Sequence, residues 1–253
     1  MDNHKKIEQQ PCMLLSTTYG LNSSYTKKIQ VGLMTEGVEP DFLPVVKLTS
    51  NGAAGICFNM ESWQKFQENM ETMSTYLSGD KINLSSIIFN KIIINFTTAY
   101  GARAILIAYR ENEQEDLSSE TAEDTSANEP RTKKRKTYNI GIVMQRTTFQ
   151  GLENLVDCVN ANLNRLNFIS NNVNECAQYL INEIQLKLPV SGAINNSIVK
   201  LTIRGNSKEI ERNVRTQLKD LVFLDVYFEI TFLEIISLYF EQIVHAIIAK
   251  RKF

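Results

Sequence analysis

Histidine is scarce in this chain. Its 253 residues hold two, His4 and His245. A zinc site needs soft ligands at close spacing, and two distant histidines do not supply them. The four cysteines, Cys12, Cys57, Cys158 and Cys176, form no CxxC pair. Free thiols in a reducing compartment are the expectation. No GxxxxGK[ST], GxSxG or HExxH motif occurs, so the common phosphate-loop, serine-hydrolase and zinc-protease chemistries lack their residues. The opening "MDNHKKIEQQPC" is polar and has no secretory pattern. Asp41, Asp80 and Asp220 show no metal-like grouping. The expectation is a protein that is not an enzyme, with no cofactor and no metal.

What is present is first a charge pattern. Residues 111–130 hold eight acids and no base, and "PRTKKRK" follows at once. The formal net charge of −1 hides this. Without the acidic block, 27 bases face 20 acids; setting aside Arg131, Lys133, Lys134, Arg135 and Lys136 as well leaves about +2. An anionic partner is permitted by this balance. A disordered insert is expected over 111–137, because its composition cannot bury itself. The basic run resembles a nuclear-import signal. It implies an import receptor as partner and the nucleus as location. The acidic half is expected to compete with nucleic acid for a basic face.

Hydropathy then organises the rest. Residues 1–24 lack periodicity and read as a flexible arm. "KKIQVGLM" (27–34), "VVKLTS" (45–50) and "AGICFNM" (54–60) read as strands, the last two flanking the turn "SNG". Residues 61–77 place Trp63, Phe66, Met70, Met73 and Leu77 at helical steps. The grammar repeats: strands at 82–96, 102–110 and 138–144, then Phe149, Leu152, Val156, Val159 and Leu163 on a helix over 147–166. At a constant offset of 86, Gly55–Phe58 aligns with Gly141–Met144 and the two helical stripes align throughout. This reads as a duplication, with units at 25–81 and 82–166. Beyond a boundary near 167–175 comes an extension, 167–253, for packing or oligomerisation. There 176–188 reads as helix, 197–205 and 222–230 as strands, 207–221 as helix, and 231–253 as an apolar helix. Glu234, Glu241 and His245 interrupt that helix, which argues against a membrane span. The fold class is α+β: two antiparallel-sheet-plus-long-helix units forming a pseudo-dimer, then an α/β extension.

The runs "VVKLTSNGAAGICFNMESWQKFQENMETM" and "ARAILIAYREN…KTYNIGIVMQRTTFQGLENLVDCV" resemble the single-stranded-DNA-binding fold of the transcriptional positive cofactor four and the plant Whirly proteins. The likeness covers roughly residues 25–166 and lies in the pattern of strands leading into a helix. The Asn/Ile-rich composition is also similar to that of DNA-binding proteins of nuclear insect DNA viruses. The resemblance implies two sheets presented to single-stranded DNA or RNA without base specificity, in viral replication, recombination or transcription. Such a site needs spaced cations and exposed aromatics. Outward candidates are Lys28, Lys47, Lys91, Arg103, Tyr109, Arg146, Lys200 and Arg204, each of which alone is an ordinary solvated strand residue. The alternative is a self-assembling scaffold protein, in which the apolar C-terminal helix makes a homo-oligomer and nucleic acid plays no part.

Overall fold

The computed structural model describes residues 13–35, 37, 41–51, 55–79, 84–110, 141–190, 192–219 and 224–250. The acidic insert and the basic run Arg131–Lys136 lie outside these residues. Among the described residues the fold is α+β, with eight strands in two four-stranded antiparallel sheets and seven helices. Sheet 1 holds β1 (Leu14–Gly20), β2 (Lys27–Met34), β3 (Leu43–Ser50) and β4 (Ile56–Phe58) in chain order. Helices α1 (Met60–Glu68) and α2 (Met70–Ser78) follow. Sheet 2 repeats the order with β5 (Ile87–Phe89), β6 (Ile92–Ala99), β7 (Ala102–Tyr109) and β8 (Gly141–Gln145). Next come α3 (Arg146–Glu153) and the long α4 (Val156–Lys187), then α5 (Asn196–Gln217), α6 (Leu224–Leu238) and α7 (Phe240–Lys250).

Local chemistry sets these bounds. The Asn59 side chain accepts the Ser62 N–H at 2.9 Å and caps α1. Asn69 ends α1 by donating its side-chain amide to the Lys65 carbonyl, which splits the single helix expected over 61–77. Gly79 closes α2 at φ +105°. The strand expected over 82–96 is a hairpin instead, turned at Asn90 with φ +50°. Tyr100 and Gly101, both at positive φ, join β6 to β7 as a two-residue turn of the type that suits twisted strands.

Four expectations are corrected. Residues 14–20, placed in a flexible arm, form β1. A bulge at Leu15–Ser16 shifts the register between Leu14 and Thr17, which hid the alternation. Residues 197–205 are helix. "SIVKLTIRG" fits period 2 through Leu201, but Leu201 is exposed and the buried stripe is Val199, Ile203, Ile210 and Val214. The described residues of 222–230 are also helical, with Phe228, Phe232 and Ile235 on the buried side. The boundary near 167–175 falls inside α4. Ile169 and Val173 continue the apolar stripe through the asparagine-rich stretch, so the helix never breaks.

The inner face of sheet 1, with Ile29, Val31, Leu33, Val46, Leu48 and Phe58, packs under α1 and α4. Sheet 2 turns Ile94, Ile105, Ile107, Ile142 and Met144 toward α2 and α3. Helices that follow one sheet in the chain therefore also serve the other sheet. α4 crosses β2 and β3, whereas α2 lies on β7. Polar ties fix this exchange. Trp63 Nε1 donates to Asn160 Oδ1 at 2.8 Å, Asn162 donates to the Tyr19 hydroxyl, and Asn174 accepts the Phe42 N–H at 2.7 Å.

The apolar C-terminus is two helices, bent by 78° around Tyr239, with Phe232, Ile235, Tyr239, Ile243 and Ile247 in the core. Among the described residues no single helix is long and apolar enough to cross a membrane. Glu234, which interrupts the apolar run, accepts the N–H of Leu15 at 2.7 Å and so closes part of the edge of β1.

Gly151 sits inside α3 for a packing reason. A Cβ there would fall 2.2 Å from the Leu21 carbonyl oxygen. In an open helix, Gly→Ala stabilises by about 1 kcal/mol. Here the sign is expected to invert: Gly151→Ala should lower the urea midpoint, and a raised midpoint would show that the β1–β2 loop yields freely.

Candidate nucleic-acid interface

Helices cover one face of sheet 1 and leave the other partly open, with Thr18 exposed and Lys28 and Gln30 half-buried but Val45 and Lys47 buried. Because side chains alternate, the open face is spelled by every second residue. The cross-strand rows are Thr18–Gln30–Lys47–Cys57, Gly20–Lys28–Thr49, Gly32–Val45 and Met34–Leu43. Gln30 donates to the Thr18 hydroxyl at 3.2 Å, which holds the first row in place. Toward the far end of β2 and β3 the face is apolar, with Val45 buried and Leu43 exposed, and among its described residues lysine is the only charge.

Among the described residues one aromatic lies on this face. Tyr25, in the β1–β2 turn, is 62% exposed, and its ring rests against Gly20; a Cβ at Gly20 would meet the ring at 2.7 Å. Gly20 is the register partner of Lys28, so the ring stands beside that lysine. Tyr25 adopts φ +53°, a region that large residues rarely occupy. The turn holds it there: its N–H donates to the Asn22 carbonyl, and the Asn22 side chain donates to the Thr26 hydroxyl. "YTKK" was the available signal, an aromatic two residues from a lysine pair at a strand start.

Of the eight expected residues, the sheet brings together only Lys28 and Lys47. Lys28 is half-buried on the open face. Lys47 is 8% exposed, its stem lying along Gly55. Lys91 is exposed in the β5–β6 turn, and Arg146 is exposed at the start of α3. Lys200 and Arg204 are exposed on α5, not on a strand.

Arg103 and Tyr109 point to the helix side of sheet 2, where they hold the fold together. Arg103 donates to the Tyr76 carbonyl at 3.0 Å and lies 5.2 Å over the Tyr76 ring. The Tyr109 hydroxyl accepts the Cys57 N–H at 2.8 Å, tying β7 to the outer edge of β4. Strand alternation sets them on this side, since Arg103 and Tyr109 share parity with the buried Ile105 and Ile107.

The open face of sheet 2 differs in kind. Its rows run Ile88–Ile93–Ala108–Gly141 and Asn95–Leu106–Val143. Among its described residues this face carries no charge.

No group of three or more His, Cys, Asp or Glu side chains able to hold a metal occurs among the described residues. Burial pushes the Cys176 thiol up to about 12, so it stays protonated and inert at neutral pH. Compared by sequence, the chain matches no protein-family model and no curated relative.

Proposed function

We propose that this chain binds single-stranded nucleic acid without base specificity, that it acts in the nucleus, and that it is not an enzyme. The observation that carries the reading is the open face of sheet 1. Thr18, Gln30 and Thr49 leave room for a strand, half-buried Lys28 offers charge to phosphates, and Tyr25 offers a ring to a base, whereas Lys47 is buried and presents no exposed charge. Phosphate pairing and base–aromatic stacking are the two terms such binding needs.

The two halves are proposed to be copies of one unit. Both sheets have the same strand order. The helices that follow resume at Met70 and Val156, and β4 starts at Ile56 where β8 contains Ile142; both intervals equal 86 residues. Strands leading into a helix, twice over, resemble the positive-cofactor-four and Whirly arrangement, in which paired units face single-stranded DNA.

Fluorescence anisotropy with labelled oligo-dT tests the reading. Binding that weakens as salt rises is expected, since each phosphate contact releases counterions. Micromolar or weaker affinity at low salt, with no salt slope, would reject it.

A scaffold reading draws on exposed Ile230 and Leu233 of α6 and on the uncharged face of sheet 2. Deleting 231–253 cannot separate the readings, because those helices are core. Sedimentation of an Ile230→Glu/Leu233→Glu variant does: lost assembly with strand binding intact leaves the first reading standing.

A further inference from the structure

Helix α5 carries a second charged surface that sheet 1 does not share. It packs along α4, α6 and α7 rather than on either sheet, and it buries Val199, Ile203, Ile210 and Val214. Lys200, Arg204, Lys208 and Arg212 stand on its other side, all exposed and each four residues from the next. At 1.5 Å rise per residue the row is about 18 Å long, with a cation about every 6 Å.

The pairing of charges sets this row apart. On the neighbouring surface, cations meet acids. Lys187 of α4 pairs with Glu209, and Arg215 pairs with Glu211 and Glu229. Those pairs occupy the two acids of α5. Among the described residues, none of the four cations in the row makes an ion pair or a hydrogen bond. Three successive like-charge pairs at i,i+4 disfavour the helix, so folding alone does not explain the row. Gly205 lies beside it, inside the helix, with nothing within 4 Å of where a Cβ would stand. Packing therefore does not require this glycine, and its absent side chain leaves the backbone next to Arg204 open to close approach.

We infer that the Lys200–Arg204–Lys208–Arg212 row of α5 is a phosphate-binding ridge that engages the backbone of nucleic acid away from the sheet. The inference rests on the strand-binding reading and extends it. A helix row of this kind reads no bases. It tracks charge, so its contribution is independent of sequence and sensitive to salt.

The test is a salt titration of oligo-dT anisotropy on the full chain and on a Lys200→Gln/Arg204→Gln/Lys208→Gln/Arg212→Gln variant. The four side chains are exposed, so an unchanged thermal melt by circular dichroism is the control for folding. Four lost contacts should lower the slope of log K against log salt by about 3, at roughly 0.7 per phosphate for a single strand. Affinity at low salt should fall at least tenfold. If the variant melts early, Lys200→Gln/Arg204→Gln alone, at the N-terminal end of the helix, should lower the slope by about half as much. A wild-type chain that does not bind overturns the strand-binding reading and the ridge with it. A wild-type chain that binds, beside a variant with the same slope and affinity, overturns the ridge only.

Discussion

Replacing Trp63 with alanine is expected to cost about 3–5 kcal/mol of folding stability. The side chain is 1% exposed. It stacks on Phe66 with centroids 5.5 Å apart and meets Phe58 edge-on at 5.9 Å. Its indole N–H also reaches Asn160 on α4, whose amide in turn donates to Gln67. Trp63 is thus both a packing centre of the first half and a tie to the helix that follows the second. Trp63→Phe separates these roles. It keeps most of the apolar volume but strands the Asn160 oxygen, a loss of about 1–3 kcal/mol. Urea denaturation reads both variants. If phenylalanine costs as much as alanine, the link to α4 dominates; if it costs nothing, the hydrogen bond is immaterial and the halves are held by packing alone.

Tyr25→Ala is expected to weaken oligo-dT binding by about 5- to 150-fold, the equivalent of ~1–3 kcal/mol for one stacked base. Stability should barely change, because the ring is largely exposed and touches chiefly Gly20. Tyr25→Phe keeps the π-face and should bind like the parent. Lys28→Ala should act differently: a weaker loss, with a salt slope lower by about 0.7. Anisotropy at two salt concentrations distinguishes the patterns. Parent-like binding by Tyr25→Ala would remove sheet 1 as the stacking platform.

Much of the fold could be read from hydropathy. Seven of the eight strands overlap runs that alternate or stay apolar, and the stripes from Trp63 to Leu77 and from Phe149 to Leu163 face the core, with Val156 half-buried. The failures have physical causes. A bulge at Leu15–Ser16 breaks period 2 and hides β1, and Leu201 gives α5 the look of a strand by placing an apolar residue at a solvent-facing position. α4 runs through Asn167–Glu175 because Ile169 and Val173 carry the buried stripe onward, and Asn174 there does structural work. Asn174 bonds both the N–H and the carbonyl of Phe42, which composition alone makes look like a linker.

The site was less legible. A lysine on a strand announces exposure but not which side of the sheet it takes. Lys28 and Arg103 look alike in sequence, yet one stands on an open face and the other is spent on Tyr76. Tyr25 depends on a turn that only the pairing of β1 with β2 defines.

The joining of both sheets in one chain, with α4 following sheet 2 in sequence and packing on sheet 1, has a consequence at low concentration. Two sheets carried by separate subunits part when diluted below their association constant. Here dilution cannot part them, and the local concentration of one relative to the other is fixed by covalent connection. The exposed face of each sheet therefore stays available in a constant one-to-one ratio, whether the cell holds a few copies of the protein or many.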